Sequence, residues 1–165
     1  MVQGPMGKGL DVQKDGVHIA FAAGTGILAF ADLIGYLIVS LTMPQLCTEA
    51  SLGDSFKFIL HYSYYDSKEA VCLDLIQALV TLCEKQGKKD LFEFHPRVSK
   101  TFDEMSEIRK RKRWDQGYFK NQIEKGLESG VKRMYVCGPP LVQENFDRAQ
   151  DSIKDPAKEG KIIIL

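Results

Sequence analysis

Apolar positions along the chain fall into two kinds of run that take turns. Short runs with little or no polar interruption cover 18–23 (HIAFAA), 56–64 (FKFILHYSY), 91–95 (LFEFH), 133–137 (RMYVC) and 161–165 (KIIIL). Each is aromatic, β-branched or uniformly apolar over the length of a strand. The first is apolar almost throughout, which suits a central parallel strand covered on both faces. Pro96 is expected to stop the third strand directly after His95. The longer segments between them have helical spacing. One runs from Gly26 to about Leu41, with Pro44 beyond it as a stop signal. A second places Cys72, Ile76, Leu79 and Cys83 on one face and ends at Gly87. Asp66 and Glu69, three apart, give it a capping-box-like start. A third covers 114–128 with Phe119, Ile123 and Leu127 on its inner face, and a fourth opens on Pro139 and Pro140.

Strands alternating with helices build βαβ units with right-handed crossovers. The expected fold is a single doubly wound α/β domain with a five-stranded parallel sheet flanked by helices. The start of the chain, 1–15, is turn-rich (Gly4-Pro5-Met6-Gly7) and reads as a linker or as the tail of a preceding domain, which leaves 16–165 as the folded unit.

Two turns in this pattern are chemically distinctive. Gly24-Thr25-Gly26 joins the first strand to the first helix, an arrangement that leaves helix-start amides free to hold a phosphate. The spacing Gly24-x-Gly26-x-x-Ala29 also fits the dinucleotide fingerprint in its form ending in Ala. Cys137-Gly138-Pro139-Pro140 follows the fourth strand. In a doubly wound sheet both turns lie on the carboxyl edge, where ligands bind.

Composition narrows the partners. Lys plus Arg and Asp plus Glu number 22 each, so no global charge draws the chain to nucleic acid. Cys47, Cys72, Cys83 and Cys137 are far apart with no C-x-x-C pair, which argues against zinc and for a reducing, cytoplasmic setting. His18, His61 and His95 lie on or at the ends of strands without ligand spacing and read as core or strand-end residues. The start has no apolar signal-peptide core. The apolar run 27–41 is interrupted by Asp32 and Gly35 and falls short of the roughly 20 residues a bilayer needs, so no transmembrane segment is expected. Arg109-Lys110-Arg111-Lys112-Arg113 reads first as exposed loop; the same charge would suit an acidic redox partner or anionic lipid.

Taken together, the paired turns resemble those of the pyridine-nucleotide-binding domain of the ferredoxin–NADP reductase family, in its cytochrome b5 reductase and nitrate reductase branch. Gly4-Pro5-x-Gly7 and Trp114-Asp115-Gln116-Gly117-Tyr118 add to the likeness, which spans nearly the whole chain. The resemblance implies an NAD(P)H-binding, Rossmann-like domain of a flavoprotein, with FAD held mainly by an upstream flavin domain that this chain does not contain. A haem or iron–sulfur protein would then receive the electrons. The Arg-x-Tyr-Ser type motif of such flavin domains is absent, and the chain ends on Ile164-Leu165 where the family usually ends on an aromatic residue.

Residue by residue, the resemblance puts the pyrophosphate on the backbone of Gly24, Thr25, Gly26 and Ile27, with the Thr25 hydroxyl beside the nicotinamide. Cys137, with Gly138, Pro139 and Pro140, lies against the nicotinamide ring and aligns it for hydride transfer. That role is positional, without nucleophilic attack. The plain alternative for Cys137 is a buried structural thiol. Arg97, Ser99 and Lys100 fall where the family reads the adenosine ribose. With two cations and no acid there, charge favours NADPH over NADH. Tyr118 falls where an aromatic ring stacks on adenine, and equally suits a helix core position. The competing functional reading is a non-catalytic nucleotide-binding or interaction module that kept the fold.

Overall fold

β1 (Val17–Ala23) sends alternate side chains into two different cores. Ala20 and Ala22 point to one side, and Ile19, Phe21 and Ala23 to the other; all are buried. This two-sided burial is the reason the run lacks the polar alternation of an exposed strand. The computed structural model describes residues 10–47, 52–99, 114–154 and 161–165.

β1 lies at the centre of a parallel sheet with β2 (Lys57–Tyr64), β3 (Phe92–Val98), β4 (Arg133–Cys137) and a three-residue edge strand β5 (Ile162–Ile164), in the order β3-β2-β1-β4-β5. A 3₁₀ segment (Gly24–Phe30) leads into α1 (Ala31–Thr42), which packs with α2 (Leu73–Lys85) on one face. The small Ala20 and Ala22 leave room there for Phe30, Ile34 and Leu37, which are fully buried. α3 (Gln116–Glu128) and α4 (Pro140–Ser152) cover the other face through Phe119, Ile123, Phe146 and Ala149. The expected α/β architecture, a parallel sheet flanked by helices, is therefore present.

Local departures have local causes. β3 does not stop at Pro96 but continues to Val98, because among the described residues it is an edge strand bonded only to β2, where a missing N–H goes unmissed. Arg97 is thus a strand residue paired with Ser63, not part of a following loop. α2 starts at Leu73 rather than near Asp66, and its cap is Cys72 in the left-handed region at φ 60°. Asp66 instead closes a turn of its own, accepting from the Lys68 amide at 3.0 Å through its carboxylate and from the Glu69 amide at 3.0 Å through its carbonyl. Asp115 caps α3, accepting from the Tyr118 amide at 2.8 Å, which leaves Trp114 just outside the helix.

The helical run Gly24–Thr42 is 19 residues long, longer than the sequence pattern indicated, and by length and composition alone it could cross a membrane. Its inner side chains form the core against the sheet. At the opposite end of the sheet, Leu10 and Val12 pack on that core, and Asp11 pairs with Arg133 at 2.8 Å. Gly4-Pro5-x-Gly7, Lys100 and Arg109–Arg113 lie outside the described residues.

Candidate functional site

The strand order reverses direction between β1 and β4, and the two strands end level, with Ala22 opposite Cys137. Such a switch point opens a crevice at the carboxyl edge. Both distinctive turns emerge there side by side.

Gly24 makes the turn out of β1 at φ +56°, a conformation that disfavours any side chain. Gly26 is buried, and a Cβ on it would run into the carbonyl of Cys137 and come within 3.0 Å of the Gly138 amide nitrogen. In return, a Cβ on Gly138 would meet the Cβ of Ala23 at 2.9 Å. The two turns interlock backbone against backbone. Neither helix start is capped by a side chain: Ala23 precedes the 3₁₀ segment and Pro139 precedes α4, with no side-chain bond from either.

A cavity of about 490 Å³ opens beside this contact. Gly24, Ser99, Trp114, Pro139 and Asn145 line it, with Tyr64 and Tyr65 from the end of β2. Its size is within the range of small-molecule sites. Trp114 is buried and is held by the Asn145 amide through its carbonyl at 3.2 Å, and its solvent-shielded indole N–H has no hydrogen-bond partner of ordinary geometry among the described residues. A larger cavity of about 620 Å³ lies at the opposite, amino edge, between the end of α1 and the starts of β2 and β3.

Thr25 is exposed at the turn, whereas Ile27 is fully buried in the α1 core and can offer only its backbone. Cys137 is half-buried, and burial pushes its thiol up, so at neutral pH it stays protonated and poorly nucleophilic. That chemistry suits a contact role rather than a covalent one. Pro140 is exposed at the first position of α4.

The more distant residues divide. Ser99 lines the cavity, but its hydroxyl donates to the Tyr64 carbonyl at 3.1 Å. Arg97 sits over the Tyr118 ring, 5.0 Å from guanidinium carbon to centroid. The two residues named separately in the sequence are therefore in contact. Tyr118 itself faces a second groove, on the α3 side of the sheet, and stands one ring behind the cavity: Trp114 stacks on it at 6.0 Å and 6°. Burial raises the Tyr118 phenol, and Arg97 opposes that rise.

Sequence reasoning missed the cross-strand pair His61 and His95, whose rings stack at 4.7 Å. The signal was available: both residues lie on strands legible in the sequence, and the parallel register of those strands sets them opposite one another. Among the described residues no group of three or more His, Cys, Asp or Glu is arranged to hold a metal ion.

No protein-family model matches this sequence, and no curated protein matches it. Solved structures do. Ferredoxin-NADP+ reductase from Plasmodium falciparum with 2′P-AMP superposes with a TM-score of 0.62 at 16% identity, covering 92% of this chain and 53% of that one. The fold is that of the ferredoxin–NADP+ reductases and cytochrome b5 reductases. The cytochrome b5 reductase domain of Ulva prolifera nitrate reductase gives a TM-score of 0.52 at 14% identity, over 92% of this chain and 49% of that one. The CS-b5R domains of human Ncb5or in the NAD+ form give 0.57 at 14% identity, over 98% and 39%. The chain thus spans about half the length of the first reductases it matches.

Proposed function

We propose that this chain is the NAD(P)H-binding half of a flavin-dependent oxidoreductase. The observation that carries the reading is the backbone contact between Gly26 and Cys137 beside the carboxyl-edge cavity. It brings both distinctive turns to the place where this fold class takes its ligands.

The chain's own groups suit a dinucleotide. The uncapped starts of the Gly24–Thr42 run and of α4 offer amides and a favourable dipole to a pyrophosphate. Gly24 and Gly26 allow a close approach of backbone to the pyrophosphate. Thr25 and Cys137 flank the place for a nicotinamide and fix its orientation. Arg97 and Lys100 favour NADPH; Ser99 adds less, since its proton is committed to Tyr64. When bound, the nicotinamide supplies the hydride, and FAD on a partner domain receives it.

The surface supports such a partner. Leu28, Tyr65, Val98, Leu141 and Leu165 are all large, apolar and more than a third exposed. Each lies at or just beyond the carboxyl end of a different strand, and Tyr65 and Leu141 line the cavity itself. Exposed apolar residues gathered at one edge mark a docking surface, and a flavin domain seated there would meet the nicotinamide. A haem or iron–sulfur protein as final acceptor remains an expectation from the resemblance alone.

The test is reconstitution. With a flavin domain supplied in trans or by fusion, anaerobic NADPH should bleach the visible absorbance of the flavin. A correctly assembled, flavin-loaded pair that neither NADPH nor NADH reduces would instead favour the non-catalytic module.

A further inference from the structure

His61 is a costly residue for its position. It sits on β2, next to the central strand, and is 6% exposed, where an aliphatic side chain would avoid burying two ring nitrogens. Its ring is clamped between Phe21, at 4.9 Å, and His95, at 4.7 Å, both within 12° of parallel. Its Nδ1 lies 3.0 Å from the Tyr118 hydroxyl. His95 in turn is bonded to Glu93 at 2.7 Å, and Glu93 to Lys57 at 2.7 Å.

Tyr118 is the joint between this stack and the cavity. Its amide is fixed by Asp115, the Trp114 ring runs parallel to its own with centroids 6.0 Å apart, and the Arg97 guanidinium sits over the Tyr118 ring. A phenol tethered at its hydroxyl cannot swing out of the sheet face, so the ring that supports Trp114 and Arg97 stays in one orientation. We propose that His61 is a positioning residue for the adenosine side of the dinucleotide site, acting through Tyr118 on Trp114 and Arg97. The inference rests on the dinucleotide reading above. It adds a buried residue to that site which touches no ligand itself.

Trp114 is the only tryptophan in the chain, so its emission reports on this corner directly. The experiment is a titration of that emission with 2′P-AMP in the intact chain and in four variants: His61→Phe, His61→Asn, Tyr118→Phe and the double variant His61→Phe/Tyr118→Phe. Phe at 61 keeps the ring stack and removes the nitrogen; Asn keeps a polar amide where Nδ1 stood. His61→Phe and Tyr118→Phe should each weaken binding about fivefold to tenfold, as expected for one lost hydrogen bond. The double variant should be no weaker than either single one, and His61→Asn should stay within about twofold of the parent. Nicotinamide mononucleotide, followed by ligand NMR, should bind all of them equally.

Parent and variants binding 2′P-AMP alike would overturn the role of His61 while leaving the dinucleotide reading in place. Equal losses for 2′P-AMP and nicotinamide mononucleotide would also overturn it, because a general fold defect would explain them. A parent chain that binds neither probe would overturn the dinucleotide reading, and the inference with it.

Discussion

Gly26 lies against the main-chain carbonyl of Cys137 so closely that no side chain fits between them. The two residues belong to turns near opposite ends of the sequence, and their contact joins β1 to β4 at the level where both strands end. The obstacle is backbone, which cannot rotate away as a side-chain tip can. Gly26→Ala should therefore lower the stability of the domain by about 1–3 kcal/mol and displace the Cys137 turn. Urea unfolding measures the first effect and nucleotide titration the second.

Gly24 offers a contrast. A Cβ there would meet nothing within 4 Å among the described residues, and its φ of +56° is what resists substitution. Gly24→Ala should cost about 1–2 kcal/mol, the strain of a left-handed residue. Gly24→Asn should cost less, since Asn tolerates that region. Comparing the two by thermal unfolding separates backbone strain from the crowding at Gly26.

His61 gives the domain a pH dependence. Burial first, and His95 second, hold its imidazole down to about 4 from 6.5. Between those values the unfolded chain takes up a proton that the folded chain refuses. The stability tied to the neutral ring is thus complete above pH 6.5 and is lost progressively as pH falls toward 4, by at most about 3 kcal/mol. His18, also lowered by burial, adds a slope of the same sign. Urea midpoints at pH 7 and pH 5 should differ less in His61→Phe than in the parent.

Cys137 bears on orientation. Its burial-raised thiol is a poor nucleophile, so Cys137→Ser should leave no covalent step to lose. In the reconstituted pair, Cys137→Ala should slow flavin reduction about tenfold to a hundredfold, the cost of a misplaced reactant, while NADPH affinity changes little. Stopped-flow absorbance at saturating NADPH reads this directly.

The charge at Arg97 bears on coenzyme choice. Arg97→Ala should weaken NADPH binding about tenfold and NADH binding much less. Parallel calorimetric titrations check the difference.

The sequence was most informative where periodicity and burial agree. Ile19 to Ala23 is apolar at every position because β1 feeds two cores, and that pattern survives in one dimension. The paired turns were legible for the same reason, since each interrupts a strong strand signal with residues that only special backbone explains. What escaped notice depends on neighbours distant in the chain. Pro96 is a strand breaker by rule, yet at the edge of this sheet its lost donor faces no partner strand among the described residues. Asp66 has the spacing of a helix cap, yet its carboxylate is satisfied two residues on, before the helix begins. The His61–Tyr118 bond joins residues 57 positions apart and leaves no local trace. Tyr118, which suits either an adenine-stacking or a core position from sequence, lies behind Trp114, which itself lines the cavity.

The central claim is that the crevice between the Gly24-Thr25-Gly26 and Cys137-Gly138-Pro139-Pro140 turns holds a pyridine dinucleotide. Isothermal calorimetry of the chain with NADPH, NADH and 2′,5′-ADP, alongside Gly26→Val, tests it most directly. The account predicts saturable binding of NADPH and 2′,5′-ADP by the parent and none by Gly26→Val. Absence of heat from all three ligands at millimolar concentration, or undiminished binding by a folded Gly26→Val, would contradict it.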